Sequence, residues 1–141
     1  MANEHQITRL NERVRTRIAP SKIAGVGVFA IRDIAKGQKL YADALPEVYS
    51  VSYTDMSKLF RPVRELLLER NPLIASGEPF PYPTERVQAF LNHSYDPNYD
   101  AWGDVLLRDV EAGEEITEDY RRIPNHEKVY TWLSTPENKG A

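Results

Sequence analysis

Asn92, His93 and Ser94 follow an apolar approach (Val87, Ala89, Phe90) and bring an amide, an imidazole and a hydroxyl to one point of the chain. Polar groups at the mouth of a core must be paired, either by the protein or by a ligand. The next residues, Tyr95-Asp96-Pro97-Asn98, are turn formers. The plain reading is therefore a strand leaving into a turn, and the sharper one a binding site. Gly25-Val26-Gly27 is a second candidate, because two glycines at this spacing let the backbone approach a ligand closely. It is not the dinucleotide fingerprint: no third glycine follows, and Val28-Phe29-Ala30-Ile31 reads as strand rather than helix. Alone, a Gly-x-Gly is an ordinary turn. The third candidate is the run from Asp109 to Asp119, with six acidic side chains and no basic one. Such a run is either a solvated surface or a negative lip that draws in a cationic substrate.

Several chemistries are excluded. The three histidines, His5, His93 and His126, are far apart and form no paired metal-ligand spacing, and there is no cysteine. We therefore expect no metal hydrolase, no thiolate nucleophile and no disulfide. There is no Gly-x-Ser-x-Gly elbow and no phosphate-binding lysine loop. Two-carboxylate glycosidase chemistry stays open, as it would for any acidic surface. What remains is a site of backbone near Gly25–Gly27, polar side chains at Asn92–Ser94, and tyrosine. Such a site works by positioning rather than by acid–base power.

The elements that must hold these residues follow from the pattern. Ile7, Leu10 and Val14, three and four apart, predict a short docking helix over residues 3–13. Arg9, Arg13, Arg15, Arg17 and Lys22 make this end basic. It reads as a solvated face, because no aromatic residues interleave as they would in a nucleic-acid patch. Arg15–Ala19, Val28–Ile31, Lys39–Ala42 and Glu47–Tyr53 read as strands, with a turn at Asp33–Gln38. Thr54-Asp55 offers a cap to a helix carrying Met56, Leu59, Phe60, Val63, Leu66 and Leu67 to about Arg70, broken or restarted at Pro62. Asn71–Thr84 holds four prolines and Gly77, which predicts a loop with Phe80 and Tyr82 outside the core. Tyr99–Trp102 and Val105–Arg108 read as a hairpin around Gly103-Asp104. Asn125–Leu133 reads as a short terminal helix with an apolar side, and the chain beyond Pro136 as disordered.

The 141 residues, 41% hydrophobic and 28% charged, suit one soluble domain with a single core. No apolar run is long enough to span a membrane, and Met1–His5 lacks the apolar core of a secretory signal. We therefore expect a cytoplasmic protein with no membrane partner. The net charge of −3 speaks against a nucleic-acid partner. The whole reads as mainly β with short helices (α+β).

Four motifs in order resemble those of the SET domain, the fold of a class of S-adenosylmethionine-dependent protein lysine methyltransferases. Gly25-Val26-Gly27-Val28-Phe29-Ala30 resembles the cofactor loop that opens the domain, and Ile34-Ala35-Lys36-Gly37 the turn after it. Asn92-His93-Ser94-Tyr95-Asp96-Pro97-Asn98 matches the N-H-S-x-x-P-N signature, and Gly113-Glu114-Glu115-Ile116-Thr117-Glu118-Asp119-Tyr120 resembles G-E-E-[LI]-T-x-D-Y. The resemblance implies small curved sheets, a pseudoknot near the C-terminus and a helical insert. A core over about 15–122 would carry a variable insert over about 47–84 and a C-terminal helix over about 125–134. It implies that the backbone around Gly25, Val26 and Gly27 and the Asn92 side chain hold the methionine end of the cofactor, that Phe29 also contacts the cofactor, and that His93 contacts its adenine end, largely through backbone. Tyr120 would be the catalytic tyrosine, and the partner a basic protein or peptide. Two positions depart from the family. Tyr41-Ala42-Asp43-Ala44 stands where a Glu-Tyr-x-Gly is common, leaving Tyr41 as a nearby candidate for the substrate channel. Glu118 stands where an aromatic residue commonly tunes the number of methyl groups added. Those departures are what a SET-fold binding module without transfer activity would show. A third reading is a nucleic-acid or structural protein using the N-terminal arginines. The sequence leaves open whether copies associate as a homo-oligomer.

Overall fold

The computed structural model describes residues 2–40, 47–70, 72–83 and 87–134. In chain order the elements are α1 (Ala2–Arg13), β1 (Thr16–Pro20), β2 (Val26–Ala30), β3 (Glu47–Tyr49), a 3-10 turn at Tyr53–Lys58 and α2 (Arg61–Arg70). A 3-10 turn at Pro72–Ser76, β4 (Phe80–Tyr82), a 3-10 turn at Val87–Phe90, β5 (Asn92–His93), β6 (Tyr99–Asp100), β7 (Val105–Leu106) and β8 (Glu115–Glu118) follow. A 3-10 turn at Tyr120–Arg122, α3 (His126–Val129) and a 3-10 turn at Thr131–Ser134 close the series. The chain divides into two compact units: Met1–Arg15 with Tyr41–Arg86, and Thr16–Leu40 with Val87–Ala141.

The first unit has an apolar core. Ile7 and Leu10 of α1 and Val14 just after it are buried, as their spacing requires, with Met56, Leu59, Val63, Leu67 and Ile74. The Asn11 side chain donates to the Lys58 carbonyl (3.3 Å) and accepts from the Phe60 N–H (2.7 Å). That clamps the step between the Tyr53–Lys58 turn and α2. Pro62 lies in the first turn of α2, where a missing N–H is no loss. The expected break is thus a restart, although Ser52 rather than Thr54 stands at the cap of the preceding turn.

Three expectations for this unit are corrected. The strand expected over Glu47–Tyr53 ends at Tyr49, and Tyr53 already belongs to the 3-10 turn. The Asn71–Thr84 stretch is not all loop, since β4 pairs antiparallel with β3, Tyr49 opposite Phe80, and Phe80 is buried. Pro81 is tolerated because a two-stranded ribbon has outward-facing N–H positions that need no partner. The N-terminal arginines are not simply a solvated face: Arg9 donates to both oxygens of Glu47 (2.6 and 3.0 Å), and Arg13 to the Tyr49 hydroxyl (2.8 Å). The Arg9 hydrogen bond, helped by that of Tyr49, brings the Glu47 carboxyl down to about 2.

The second unit is built on a four-stranded sheet ordered β1-β2-β8-β5. β1 and β2 form an antiparallel pair in register Thr16↔Ala30 to Pro20↔Val26, and β8 joins β2 antiparallel through Val28↔Ile116 and Phe29↔Glu115. β5 lies parallel to β8, Asn92 opposite Thr117. The expected hairpin is present as β6 and β7, Tyr99 opposite Leu106. Val28, Ala30, Ile34, Leu91, Tyr99, Leu106, Val110 and Ile116 are buried.

Lys39 and Leu40 are not in a strand. The Leu40 N–H is taken by the Asp104 carboxylate at the hairpin tip (3.0 Å), a partner no local pattern reveals. The approach to Asn92 is a 3-10 turn with Ala89 exposed, and Leu91 enters the core. The terminal helix shrinks to the four residues of α3, whose Val129 is exposed, and Leu133 is buried in the turn after it. The stretch beyond Pro136 lies outside the described residues. Among the described residues no helix is long and apolar enough to cross a membrane.

Candidate functional site

All described members of the candidate site belong to the second unit. The Ser21 N–H donates to the Gly25 carbonyl (2.9 Å) and closes the turn before β2. Gly25 has φ +46°, the left-handed region that favours glycine. Gly27 is needed for a different reason. A Cβ there would stand 2.2 Å from Glu115 Oε2 and 3.0 Å from Asn92 Nδ2. Absence of a side chain lets a carboxylate and an amide lie directly on the β2 backbone.

Those two groups form a cradle. Asn92 Nδ2 is within hydrogen-bond reach of Glu115 Oε2 (2.9 Å), the Val26 carbonyl (3.0 Å), Ser21 Oγ (3.1 Å) and the Ala24 carbonyl (3.2 Å). Ser21 Oγ donates in turn to Glu115 (2.8 and 2.9 Å to its two oxygens). Phe29 lies directly opposite Glu115, and directly opposed residues share a sheet face. Gly27, two residues earlier in β2, is on that face as well.

His93 and Tyr120 form the adjoining part. His93 is 1% exposed. Its Nδ1 accepts the Tyr120 backbone N–H (3.0 Å), so in the neutral ring the proton is on Nε2. That Nε2 is buried and has no hydrogen-bond partner among the described residues. Burial lowers the His93 pKa, against the weaker pull of Asp119, whose Oδ1 is 3.9 Å away. The rings of Tyr95 (4.4 Å), Tyr120 (5.2 Å) and Trp132 (5.5 Å) surround the imidazole. Tyr120 is held at both ends, since its hydroxyl donates to the Leu91 carbonyl (2.5 Å). Burial pushes that hydroxyl up to about 12, with Tyr130, Glu118 and Glu115 acting in the same direction. Burial would also raise the Asp119 carboxyl, but hydrogen bonds from Arg121 outweigh it and hold the group low.

The structure thus gathers Gly25, Val26, Gly27 and Asn92 into one cluster and ties His93 to Tyr120. Glu118 stands elsewhere: alternation along β8 turns it away from the Glu115 face. It lines a small hollow with Pro97, Tyr99, Trp102, Asp119 and Arg122. Burial, then the Asp119 charge, raise its carboxyl pKa. Tyr41 lies outside the described residues. The acidic run is neither all solvated nor one lip, because Asp109, Glu114 and Glu115 accept internal hydrogen bonds while Glu111 is exposed. Ser21 and Glu115 are site residues that sequence reasoning missed. Glu115 lay inside a recognisable motif, but only the register of β8 against β2 reveals which glutamate turns inward.

The oxygens of the cradle are acceptors for the α-ammonium of the amino-acid end of S-adenosylmethionine. The SET domain family profile matches residues 25–121. No curated protein matched the sequence. Among solved structures, the chain is similar to a humanized mutant of the Chaetomium thermophilum Polycomb Repressive Complex 2 bound to an inhibitor. That match is 19% identical with a TM-score of 0.42, over 80% of this chain and 16% of the other. It is also similar to apo ctPRC2 in an autoinhibited state, 18% identical with a TM-score of 0.42, over 84% of this chain and 17% of that one. The chain spans less than a fifth of either of those chains. With more than half of its length matched by the family profile, and with small sheets and short helices around the Gly25–Gly27 turn and the Asn92–His93 strand, this chain belongs to the SET domain family.

Proposed function

We propose that this protein transfers a methyl group from S-adenosylmethionine to a lysine side chain of a basic protein or peptide. The observation that carries this reading is the fixing of Tyr120 to the strand that also bears Asn92. Its N–H is held by His93 and its hydroxyl by the Leu91 carbonyl. With a hydroxyl pushed up to about 12, Tyr120 stays neutral at physiological pH. Having given its proton to Leu91, the oxygen keeps lone pairs to accept an amine N–H and orient it. This is positioning without added charge. The cofactor supplies a methyl on a cationic sulfur. A free lysine has a pKa of about 10.4, and a partly desolvated position beside that cationic sulfur disfavours its ammonium form. Alignment supplies most of the remaining gain.

Calorimetric titration with S-adenosylmethionine, beside Asn92→Ala, tests the pocket without knowledge of the substrate. Binding that weakens in the variant supports it. Labelled-methyl transfer to a panel of basic proteins then tests the activity, and Tyr120→Phe is expected to lose roughly a hundredfold in rate. Binding of the cofactor with no transfer to any basic protein would leave the binding-module reading, which the unusual Glu118 favours.

A further inference from the structure

The first unit carries an open groove of about 510 Å³ between the Tyr53–Lys58 turn, α2 and the Pro72–Ser76 turn, lined by Tyr53, Met56, Leu68 and Ala75 with Ser57 and Arg64. Its size falls within the roughly 300–1,000 Å³ of ordinary binding sites. Tyr53 is 77% exposed, and Leu73, two residues before Ala75, is 63% exposed. Large apolar side chains left open together mark a contact surface. Among the described residues of the wall, Arg64 alone is charged, and it is half-buried. The acids near it in sequence are committed elsewhere: Asp55 to Lys58 (2.9 Å) and the Ser52 hydroxyl (3.0 Å), Glu65 to Arg61 (2.8 Å). The Arg64 side chain has no hydrogen bond or ion pair among the described residues. It stands beside apolar surface as a fork of donors with nothing to hold.

We propose that this groove docks an acidic segment of a partner protein, with an apolar side chain against Tyr53 and Leu68 and a neighbouring aspartate or glutamate paired to Arg64. Charge complementarity decides the class of occupant. A basic segment would meet an uncompensated cation, so the groove is not a place for the basic substrate of the proposed reaction. A phosphorylated segment is best held by a cluster of arginines, and this wall supplies one. A planar carboxylate suits a single guanidinium, which takes it by two parallel hydrogen bonds. The proposal stands apart from the cofactor reading. Every residue it names lies in the first unit, whereas the Asn92 cradle belongs to the second.

The test is fluorescence anisotropy of a labelled hexapeptide alternating leucine and glutamate, titrated with the native full chain, Arg64→Gln and Arg64→Lys. The expected result is saturable binding with Kd below about 1 mM, weakened about tenfold by Arg64→Gln, the size of a lost charge-assisted hydrogen bond. Arg64→Lys should lose less, because it keeps the charge and gives up only the fork. Alanine in place of leucine in the peptide should weaken binding as well. No saturable binding, or equal binding by the native protein and a folded Arg64→Gln, overturns the proposal. Tighter binding of the counterpart with phosphoserine for glutamate overturns it in favour of a phosphate. A dimer in sedimentation that Arg64→Gln dissociates overturns it in favour of a second copy of the chain. If Arg64→Gln melts far below the native protein, the native protein decides through the counterpart with glutamine for glutamate. Equal affinity for the two peptides overturns the proposal, and a loss of about tenfold supports it.

Discussion

Two asparagines six residues apart, Asn92 and Asn98, both touch β8 and use the same amide in opposite ways. The Asn98 side chain accepts from the Thr117 N–H (2.9 Å) and donates to the Glu115 carbonyl (2.8 Å) and to Glu114 Oε2 (3.3 Å). Donors and acceptors balance, so this amide stands in for a neighbouring strand. Around Asn92 the carbonyl partners belong to Ala24 and Val26, which are exposed, and the Ser21 hydroxyl shares the Glu115 carboxylate with the amide. Both side chains are buried. Burial of a polar residue therefore does not separate a structural bracket from a binding site; the exposure of its partners does, since Thr117 beside Asn98 is buried whereas Ala24 and Val26 beside Asn92 are open.

The contrast is breakable by mutation. Asn98→Ala strands a buried N–H and a backbone carbonyl of β8, and we expect a loss of about 3 kcal/mol in unfolding free energy by denaturant titration. Asn92→Ala removes a donor whose carbonyl partners, Ala24 and Val26, belong to exposed residues that water can reach. It is expected to cost no more than about 1 kcal/mol while weakening cofactor binding in the titration described above. Equal losses of stability in the two variants would erase the distinction. Gly27→Ala sharpens it, because the obstructing atoms are the ends of flexible side chains, Glu115 and Asn92. They can swing away, so the melting temperature should fall only slightly, whereas affinity for S-adenosylhomocysteine should drop severalfold as the cradle opens.

The smallest effect expected concerns His93. Burial holds its folded pKa below the ordinary 6.5. Below about that pH the unfolded chain binds the proton and the folded one resists it, so stability falls as pH drops from about 6.5 towards the lowered value. Above 6.5 the ring is neutral in both states and contributes no slope. Denaturation midpoints at a series of pH values should show this slope in the native protein and a reduced one in His93→Gln. No difference between the two would mean that His93 protonates freely in the fold.

Legibility from sequence differed from one part of the molecule to another. The stripe of Ile7, Leu10 and Val14 announced α1, and Gly103-Asp104 announced the hairpin, because each depends on residues a few positions apart. The Gly25–Gly27 turn and the Asn92–Asn98 stretch were visible for the same reason. Phe80 was misplaced because prolines on both sides of it (Pro79, Pro81) suggest a loop, and nothing local shows that Tyr49 waits opposite. Leu40 was misread because the partner of its N–H is Asp104, 64 positions away.

Sequence alone therefore determined which groups are available: the glycines that permit close approach, the amide and imidazole of Asn92-His93, and the Asp119-Tyr120 pair. Tertiary structure decided what each group does. The parallel pairing of β5 with β8 joins His93 Nδ1 to the Tyr120 N–H. The antiparallel pairing of β8 with β2 turns Glu115 towards Gly27 and leaves Glu118 on the other face. Conformational preference and motif chemistry act over neighbouring residues, whereas hydrogen-bond balance and charge compensation act over distances in space. Only register and topology set those distances.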